Sequence, residues 1–484
     1  MLGQRYPLIV GGADVDGEEA IVSTNPARPT EVIGSHVAAN PDDVRAATTA
    51  ARQAFALWRG WDPEERRRVL VQVSDRIEER RAHFAALLTY EVGKSADEAN
   101  GEIDELVFLL RFYADSAVEL AKATPIAKVG NERSTLVRHP LGVGAVIAPW
   151  NFPMALTGGM IGAALATGNA VVVKPSSRAP ISVHWLVREF TSGQLPPGTV
   201  NLIAGAGDRV GEVLVNSPDV NFLAFVGSKA TGLRLLARAA QVPSGQRWIK
   251  RCILEMGGKN AILVDETADL SLAARSVVKS AFGYQGQKCS AASRLIAVAG
   301  VHDELLELVV NETAGLRAGD PEEPDVDVGP VIDSAAKERV LEYVGRASRE
   351  AHIAIGGQAL DRPGFFVAPT VVDGVSHSSP LAQDEIFGPV LSVVHARDFD
   401  SALAIANDVE YGLTASLFST DRSRIEQAGR LLEVGNLYIN RECTGAIPGV
   451  HPFGGTKLSG TNEKSGSADY LSAFVQTRTI GERD

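Results

Sequence analysis

Cysteine is scarce in this chain: three residues in 484, at positions 252, 289 and 443. So few thiols exclude a disulfide-stapled scaffold and fit a reducing compartment, where one of them can stay free. Positive charge is also short. The formal net charge of -12 argues against general affinity for nucleic acid or anionic membrane, and no aromatic-basic pattern offsets it. Nine histidines never gather at ligand spacing, and neither HExxH nor paired CxxC occurs, so no metal site is expected. The acidic run at 325–327 reads as a solvated loop. Internal repeats and low-complexity tracts are missing. The opening Met1-Leu2-Gly3-Gln4-Arg5-Tyr6-Pro7 carries no signal-peptide pattern and no organelle address, which points to the cytoplasm.

A long apolar run is present in one place only, and it is interrupted. Residues 140–174 carry no Asp, Glu, Lys or Arg before Lys174, long enough by count to span a bilayer. Pro149, Asn151, Pro153 and Asn169 break it. The pattern predicts a strand over 144–148, a turn over 149–153, a helix Ala155–Ala166 and a strand over 170–173, a buried α/β unit.

What is there is a compact α/β composition: 45% hydrophobic and 22% charged residues, in a chain too long for one ordinary core and suited to two or three domains. Charged-apolar periodicity predicts helices over 41–58, 62–90 and 96–120. Residues 126–139 alternate loosely, as a pair of short strands. Strand-helix alternation resumes through 200–203, 221–226, 253–255 and 261–264. A second α/β region begins near Asp269, with helix Leu270–Phe282, a strand over 294–298 and helices over 303–314 and 335–350. Residues 474–480 form an extended segment with few local partners, able to complete a sheet elsewhere in the chain or in another subunit.

Two residues stand out chemically. Cys289 lies in Gly283-Tyr284-Gln285-Gly286-Gln287-Lys288-Cys289-Ser290, a glycine-punctuated turn rather than an apolar stripe, where a nearby ammonium or a following helix N-terminus would favour the thiolate. Glu255, 34 residues earlier, sits between Leu254 and Met256. A carboxylate there is either a paired structural group or a base whose pKa burial raises until it can take a proton from water. If the two meet in space, the chain can form and hydrolyse a thioester. Gly257-Gly258 lets backbone pass close to a flat ligand. Cys252 looks structural; Cys443 is placed to line a pocket.

Weaker candidates surround these. The Asn151 amide can donate to a developing oxyanion, or merely cap a turn. Lys174 can reach ribose or phosphate oxygens, or be a surface lysine. Gly205-Ala206-Gly207 is half a dinucleotide fingerprint, with Gly211 misplaced for its third glycine. Phe225-Val226-Gly227-Ser228 makes a better anion cradle at a strand end.

In combination these motifs resemble the aldehyde dehydrogenase superfamily over nearly the whole chain. The resemblance rests on Pro149-Trp150-Asn151-Phe152-Pro153, Lys174-Pro175, Phe225-Val226-Gly227-Ser228, Leu254-Glu255-Met256-Gly257-Gly258-Lys259 and Gly286-Gln287-Lys288-Cys289. Glu385-Ile386-Phe387-Gly388-Pro389 and Pro452-Phe453-Gly454-Gly455-Thr456-Lys457-Leu458-Ser459-Gly460 complete it. Within the superfamily, Lys288-Cys289-Ser290-Ala291, Asn440-Arg441-Glu442-Cys443-Thr444-Gly445-Ala446-Ile447 and the 461–471 segment look most like the 1-pyrroline-5-carboxylate dehydrogenases, which oxidise glutamate γ-semialdehyde to glutamate.

The resemblance implies an α/β fold with a Rossmann-type cofactor domain (1–120 and 141–254), an oligomerisation hairpin (121–140), an α/β catalytic domain (255–440) and a substrate-anchor loop and oligomerisation tail (441–484). Dimers or larger homo-oligomers are usual there. It implies Cys289 as nucleophile, Glu255 as base and Asn151 as oxyanion donor. Cofactor would touch Pro149, Trp150, Lys174, Ser177, Gly207, Gly211, Phe225, Gly227, Ser228, Gly257, Glu385 and Phe387. Substrate would touch Phe152, Lys288, Ser290, Gly445, Ala446 and Phe453, the α-carboxylate lying on Ser290 and the Gly445-Ala446 backbone, with Glu105 pairing Lys288. Ser177 stands where many relatives carry an acidic residue that repels a 2′-phosphate, so NAD is the expected cofactor and NADP is also admitted. Rival readings are a succinic-semialdehyde or aromatic-aldehyde dehydrogenase, and a non-catalytic binding or structural protein that kept the fold.

Overall fold

A computed structural model describes residues 3–483. Strands Val143–Ile147 and Ala170–Lys174 are buried along their whole length, as a parallel sheet covered on both faces requires. They centre a seven-stranded sheet ordered Arg251–Glu255, Val220–Val226, Val143–Ile147, Ala170–Lys174, Val200–Leu202, Leu8–Val10, Ala13–Val15. The first five strands run parallel, and the last two add an antiparallel edge. From Val143–Ile147 the chain winds outward through Ala170–Lys174 and Val200–Leu202, then returns to lay Val220–Val226 on the other side. That reversal opens a crevice at the carboxyl ends of the central strands, the usual ligand position in such sheets.

A second seven-stranded sheet is ordered His352–Ile355, Thr370–Asp373, Val390–Ala396, Ala292–Val298, Asn260–Val264, Thr414–Phe418, Asn436–Ile439, parallel except for its first strand. The sheets are joined where Arg251–Glu255 ends and Asn260–Val264 begins. Only residues 256–259 lie between. The carboxyl edge of the first sheet is thereby held against the amino edge of the second, and Cys289, just before strand Ala292–Val298, falls on that seam. Among the described residues, no helix is long and apolar enough to cross a membrane.

Helices Pro41–Trp58, Ala96–Leu120, Ala155–Ala166 and Leu270–Phe282 lie where the periodicity puts them. The helix expected over 62–90 is two, Pro63–Glu79 and Arg81–Val92. It breaks at Arg80, whose guanidinium pairs with Glu189 and covers the rings of Phe84 and Trp185; local periodicity does not show that pull. The two short strands expected over 126–139 are instead one long strand, Glu132–Pro140, beside a two-residue strand, Thr124–Pro125. The extended tail, Val475–Arg483, pairs with Glu132–Pro140 of the same chain through nine antiparallel positions.

The central strand leaves no room for a side chain at Gly144, where a Cβ would stand 2.1 Å from a Phe222 ring atom. That ring packs edge-on against Phe474 at 5.5 Å, so it has nowhere to withdraw. Gly144→Ala is expected to cost about 1–3 kcal/mol by overpacking, read as a lower urea midpoint.

Candidate active site

At the seam the Cys289 Sγ donates to Glu255 Oε1 at 3.5 Å. Cys289 follows helix Leu270–Phe282 through a tight turn in which Tyr284 and Gln285 both adopt positive φ (48° and 54°). Asn260 holds its far side: Nδ2 donates to the carbonyls of Cys289 (2.7 Å) and Ala291 (2.9 Å), while Oδ1 accepts from Thr414 N. Asn151 Nδ2 donates to Gln287 O at 3.0 Å, tying the turn after the central strand to the nucleophile turn. One amide N–H of Asn151 is thus used structurally, and the second has no hydrogen-bond partner among the described residues; Asn151 is not part of the wall of the substrate-side cavity.

Burial pushes the Glu255 carboxyl up to about 7, opposed by the hydrogen bond from Cys289 and reinforced by Glu105. Burial also raises the Cys289 thiol well above its ordinary value, with Glu255 and Glu385 adding to it. This corrects the expected local thiolate. No helix starts after Cys289, and the Lys288 ammonium points away to Glu98 at 2.7 Å. The proton on sulfur therefore has one nearby acceptor, Glu255, whose raised affinity suits it to take that proton.

Glu255 owes its position to a distant segment. Met256 N donates to Ser459 O at 2.8 Å, Ser459 Oγ donates to Gly257 O at 2.7 Å, and Thr461 Oγ1 accepts from Leu254 N at 2.9 Å. Residues 459–461 thus lace the end of the first sheet. Gly257 makes room for a second carboxylate. A Cβ there would lie 2.1 Å from Glu385 Oε2, while Glu385 Oε1 accepts from Gly258 N at 2.9 Å.

On the substrate side lies a cavity of about 540 Å³ whose wall includes Phe152, Glu255, Lys288, Cys289, Ser290, Gly445, Ala446 and Phe453. All six expected substrate residues are there. Glu105 lines it too, but Lys288 pairs with Glu98, not with Glu105 as expected. The two glutamates are seven positions apart on one helix face, and only the depth of Lys288 against the helix decides between them. Cys443 does not line the cavity; it is fully buried and donates to Ser290 O at 3.3 Å.

On the opposite side of the seam, Lys174 is buried, with its ammonium on Pro175 O at 2.9 Å and its pKa lowered by desolvation to about 8. Gly211 packs along its stem. Burial raises Glu385 to about 7. Phe387, at φ 56°, meets the Trp150 ring edge-to-face at 5.5 Å. Ser228 Oγ caps helix Lys229–Ala239, Gly227 N donates to Glu255 O, and a Cβ at Gly232 would stand 2.4 Å from Met256 Sδ and 3.1 Å from the Phe225 ring. Ser177 is exposed, its hydroxyl 3.5 Å from Gly205 O. Arg178 beside it pairs with Asp333 at 2.6 Å. The Gly257 cradle, the single-partnered buried Lys174 and the Glu385 carboxylate fit a dinucleotide carrying ribose hydroxyls. Among the described residues, no group of acidic, histidine or cysteine side chains could hold a metal ion.

A buried pair that periodicity does not reveal braces the site from behind. Lys94, just past the left-handed Gly93 cap, is fully buried and 2.5 Å from Glu102 Oε2. Its ammonium lies 3.4 Å from the Phe152 ring centroid and 4.6 Å from that of Tyr284. Glu102 Oε1 accepts from Met154 N and Ala155 N, supplying helix Ala155–Ala166 with the cap its own sequence lacks. The acidic face at 98, 102 and 105 is legible as helix periodicity; its partners are not.

Residues 13–480 match the Aldehyde dehydrogenase family. A 1-pyrroline-5-carboxylate dehydrogenase of Anoxybacillus flavithermus is 44% identical over 481 residues, spanning 99% of this chain and 93% of that one. The structure of 1-pyrroline-5-carboxylate dehydrogenase from Thermus with bound NAD is similar with a TM-score of 0.98 at 43% identity, over 100% of this chain and 94% of that chain. Betaine aldehyde dehydrogenase from Staphylococcus aureus in complex with NAD+ is similar at 29% identity with a TM-score of 0.94, over 100% and 95% of the two chains.

Lys94→Met would strand the buried Glu102 carboxylate, and an expected loss of about 3–5 kcal/mol is measurable by urea unfolding. The double change Lys94→Met with Glu102→Gln, which removes both charges, should recover much of that loss.

Proposed function

This chain belongs to the aldehyde dehydrogenase family, and from that premise we propose that it oxidises glutamate γ-semialdehyde, the open form of 1-pyrroline-5-carboxylate, to glutamate with NAD. The observation that carries the reading is the 3.5 Å contact between Cys289 Sγ and Glu255 Oε1 on the wall of a cavity that also carries Ser290, Gly445 and Ala446.

Glu255 takes the thiol proton, and the sulfur attacks the aldehyde carbon, forming a C–S bond while the carbonyl oxygen becomes an oxyanion. The free N–H of Asn151 and the backbone N–H of Cys289 hold that oxyanion. Bound NAD would supply the hydride acceptor for the tetrahedral carbon. Oxidation leaves a thioester on Cys289, which keeps the acyl carbon activated. Glu255 passes the thiol proton to solvent and, ionised again, removes a proton from water; the water oxygen bonds to that carbon, the C–S bond breaks, and sulfur leaves as thiolate, to be reprotonated from Glu255. Lys174 and Glu385 orient the cofactor riboses, with Pro149, Trp150, Ser177, Gly207, Gly211, Phe225, Gly227, Ser228, Gly257 and Phe387 shaping the crevice. The pairing of Arg178 with Asp333 favours NAD, since the cation next to Ser177 is already neutralised rather than free for a 2′-phosphate.

The substrate's α-carboxylate lies on the Ser290 hydroxyl and the N–H groups of Gly445 and Ala446, with Phe152 and Phe453 along its methylenes. Glu105 in the wall, which unlike Glu98 and Glu102 has no lysine paired to it among the described residues, suits a substrate that carries a cationic amino group beside that carboxylate. A succinic or aromatic aldehyde lacks this cation. We further divide the chain into a cofactor domain (1–120 and 141–254), an oligomerisation hairpin (121–140), a catalytic domain (255–440) and a substrate-anchor loop and oligomerisation tail (441–484). The exposed sheet of Glu132–Pro140 and Val475–Arg483 suits a homodimer or higher homo-oligomer, and three free thiols suit the cytoplasm.

Cys289→Ala should abolish cofactor reduction while leaving NAD binding intact by fluorescence titration; residual turnover would refute the nucleophile. In stopped-flow traces, Glu255→Gln should slow the first hydride-transfer burst, which needs the thiol proton removed, and slow thioester hydrolysis more, lowering the steady state by about 10²–10⁴-fold. Because the base works only when ionised, wild-type deacylation should fall as pH drops through about 7, a limb the glutamine variant lacks. A panel of aldehydes assayed with both nicotinamide cofactors decides the substrate: better kcat/KM on succinic semialdehyde or benzaldehyde would overturn the assignment.

A further inference from the structure

We infer that Arg441 is a specificity-determining positioning residue: its guanidinium turns the 444–446 loop so that two backbone N–H groups face the substrate cavity as a carboxylate receptor. Arg441 Nη2 donates to Thr444 O and to Gly445 O, each at 3.0 Å. In a trans peptide the N–H points opposite to the C=O of the same plane. The plane of Thr444 O carries Gly445 N–H, and the plane of Gly445 O carries Ala446 N–H. With both carbonyls drawn to one guanidinium, both N–H groups are turned away from it. Gly445 and Ala446 line the cavity beside Ser290 and Cys289, and neither N–H has a hydrogen-bond partner among the described residues. Two successive free N–H groups make an anion-binding nest.

The conformation needs both glycine and arginine. Gly445 sits at φ +69°, a left-handed position that other residues resist. Arg441 is fixed from three further directions. Its guanidinium lies 4.7 Å from the Tyr438 ring centroid, its Nη1 is 3.4 Å from His451 Nε2, and its own carbonyl accepts from Ser416 Oγ at 2.6 Å. His451 Nδ1 in turn accepts from Ile447 N at 3.3 Å, closing the loop one residue beyond the nest. A planar fork that serves two carbonyls from one nitrogen while stacking on a ring is arginine geometry; an ammonium does not reproduce it. Arg441 touches no reacting atom in this arrangement and acts through the backbone it orients.

This inference deepens the carboxylate-anchor reading above and rests on it. The test compares wild type, Arg441→Met and Arg441→Lys on glutamate γ-semialdehyde and on an uncharged aldehyde such as propanal, each with saturating NAD. Arg441→Met should raise KM for the carboxylated substrate by about tenfold or more while kcat at saturation stays within about twofold, and should leave kcat/KM for propanal unchanged. Arg441→Lys should restore only part of the loss. Gly445→Ala, which forces a strained φ in the nest itself and sets its Cβ 3.7 Å from Arg441 Nη2, should likewise raise KM for the carboxylated substrate and covers the case of a methionine variant that fails to fold. An unchanged KM in Arg441→Met, or equal losses on both aldehydes, overturns the role of Arg441. A wild-type enzyme that shows no preference for the carboxylated aldehyde would instead remove the anchor reading itself, so the two failures are told apart.

Discussion

The molecule is organised around a very short piece of chain. Residues 256–259 carry the backbone from the end of one parallel sheet to the start of another, and a link so short cannot let the sheets move far apart. It forces the carboxyl edge of the first against the amino edge of the second. A base at the last position of one sheet and a nucleophile just ahead of a strand of the other then meet without any further device. Gly257 keeps the link thin enough for Glu385 to lie against it, so the same four residues separate the thioester chemistry from the cofactor crevice.

Holding that seam falls to a helix that carries neither the base nor the nucleophile. From Ala96–Leu120, Glu98 takes Lys288, Glu102 takes Lys94 and the start of helix Ala155–Ala166, and the Tyr113 hydroxyl accepts from Gly466 N and shares a hydrogen bond with Ser465 Oγ. Three loops from distant parts of the chain are thereby referenced to one rigid rod. Buried charges are costly unless fully paired, and here their pairing demands one mutual placement of the loops. In such a site the pairs contribute geometry more than net stability.

Several features could be read without coordinates because they depend on local rules. Helix Ala155–Ala166 and the strands around it follow from an uncharged run broken by proline and asparagine. The anchor pair Gly445-Ala446 and the Glu255/Cys289 couple were marked by residue type and by likeness to a family. Less legible was whatever depends on a partner remote in sequence. At the Arg80 break the side chain meets Glu189 and Trp185; the partner of Lys288 is one of two glutamates on a helix face; Cys443 is buried against Ser290 O. The thiolate expected from a neighbouring lysine fails because that lysine points elsewhere and the sulfur is desolvated.

The sequence by itself determined which groups are available: one thiol in a glycine-rich turn, one carboxylate after an apolar strand, glycines where side chains cannot fit, and the alternation that makes two parallel sheets. These follow from covalent structure, periodicity and burial of apolar area, all of them short-range. Only the tertiary structure decided which charge meets which and which N–H is left free. It also decided which carboxylates are desolvated enough to hold a proton near neutrality. Those outcomes turn on distances of a few ångströms between segments hundreds of residues apart, and electrostatic energies in a partly dry interior vary steeply over such distances.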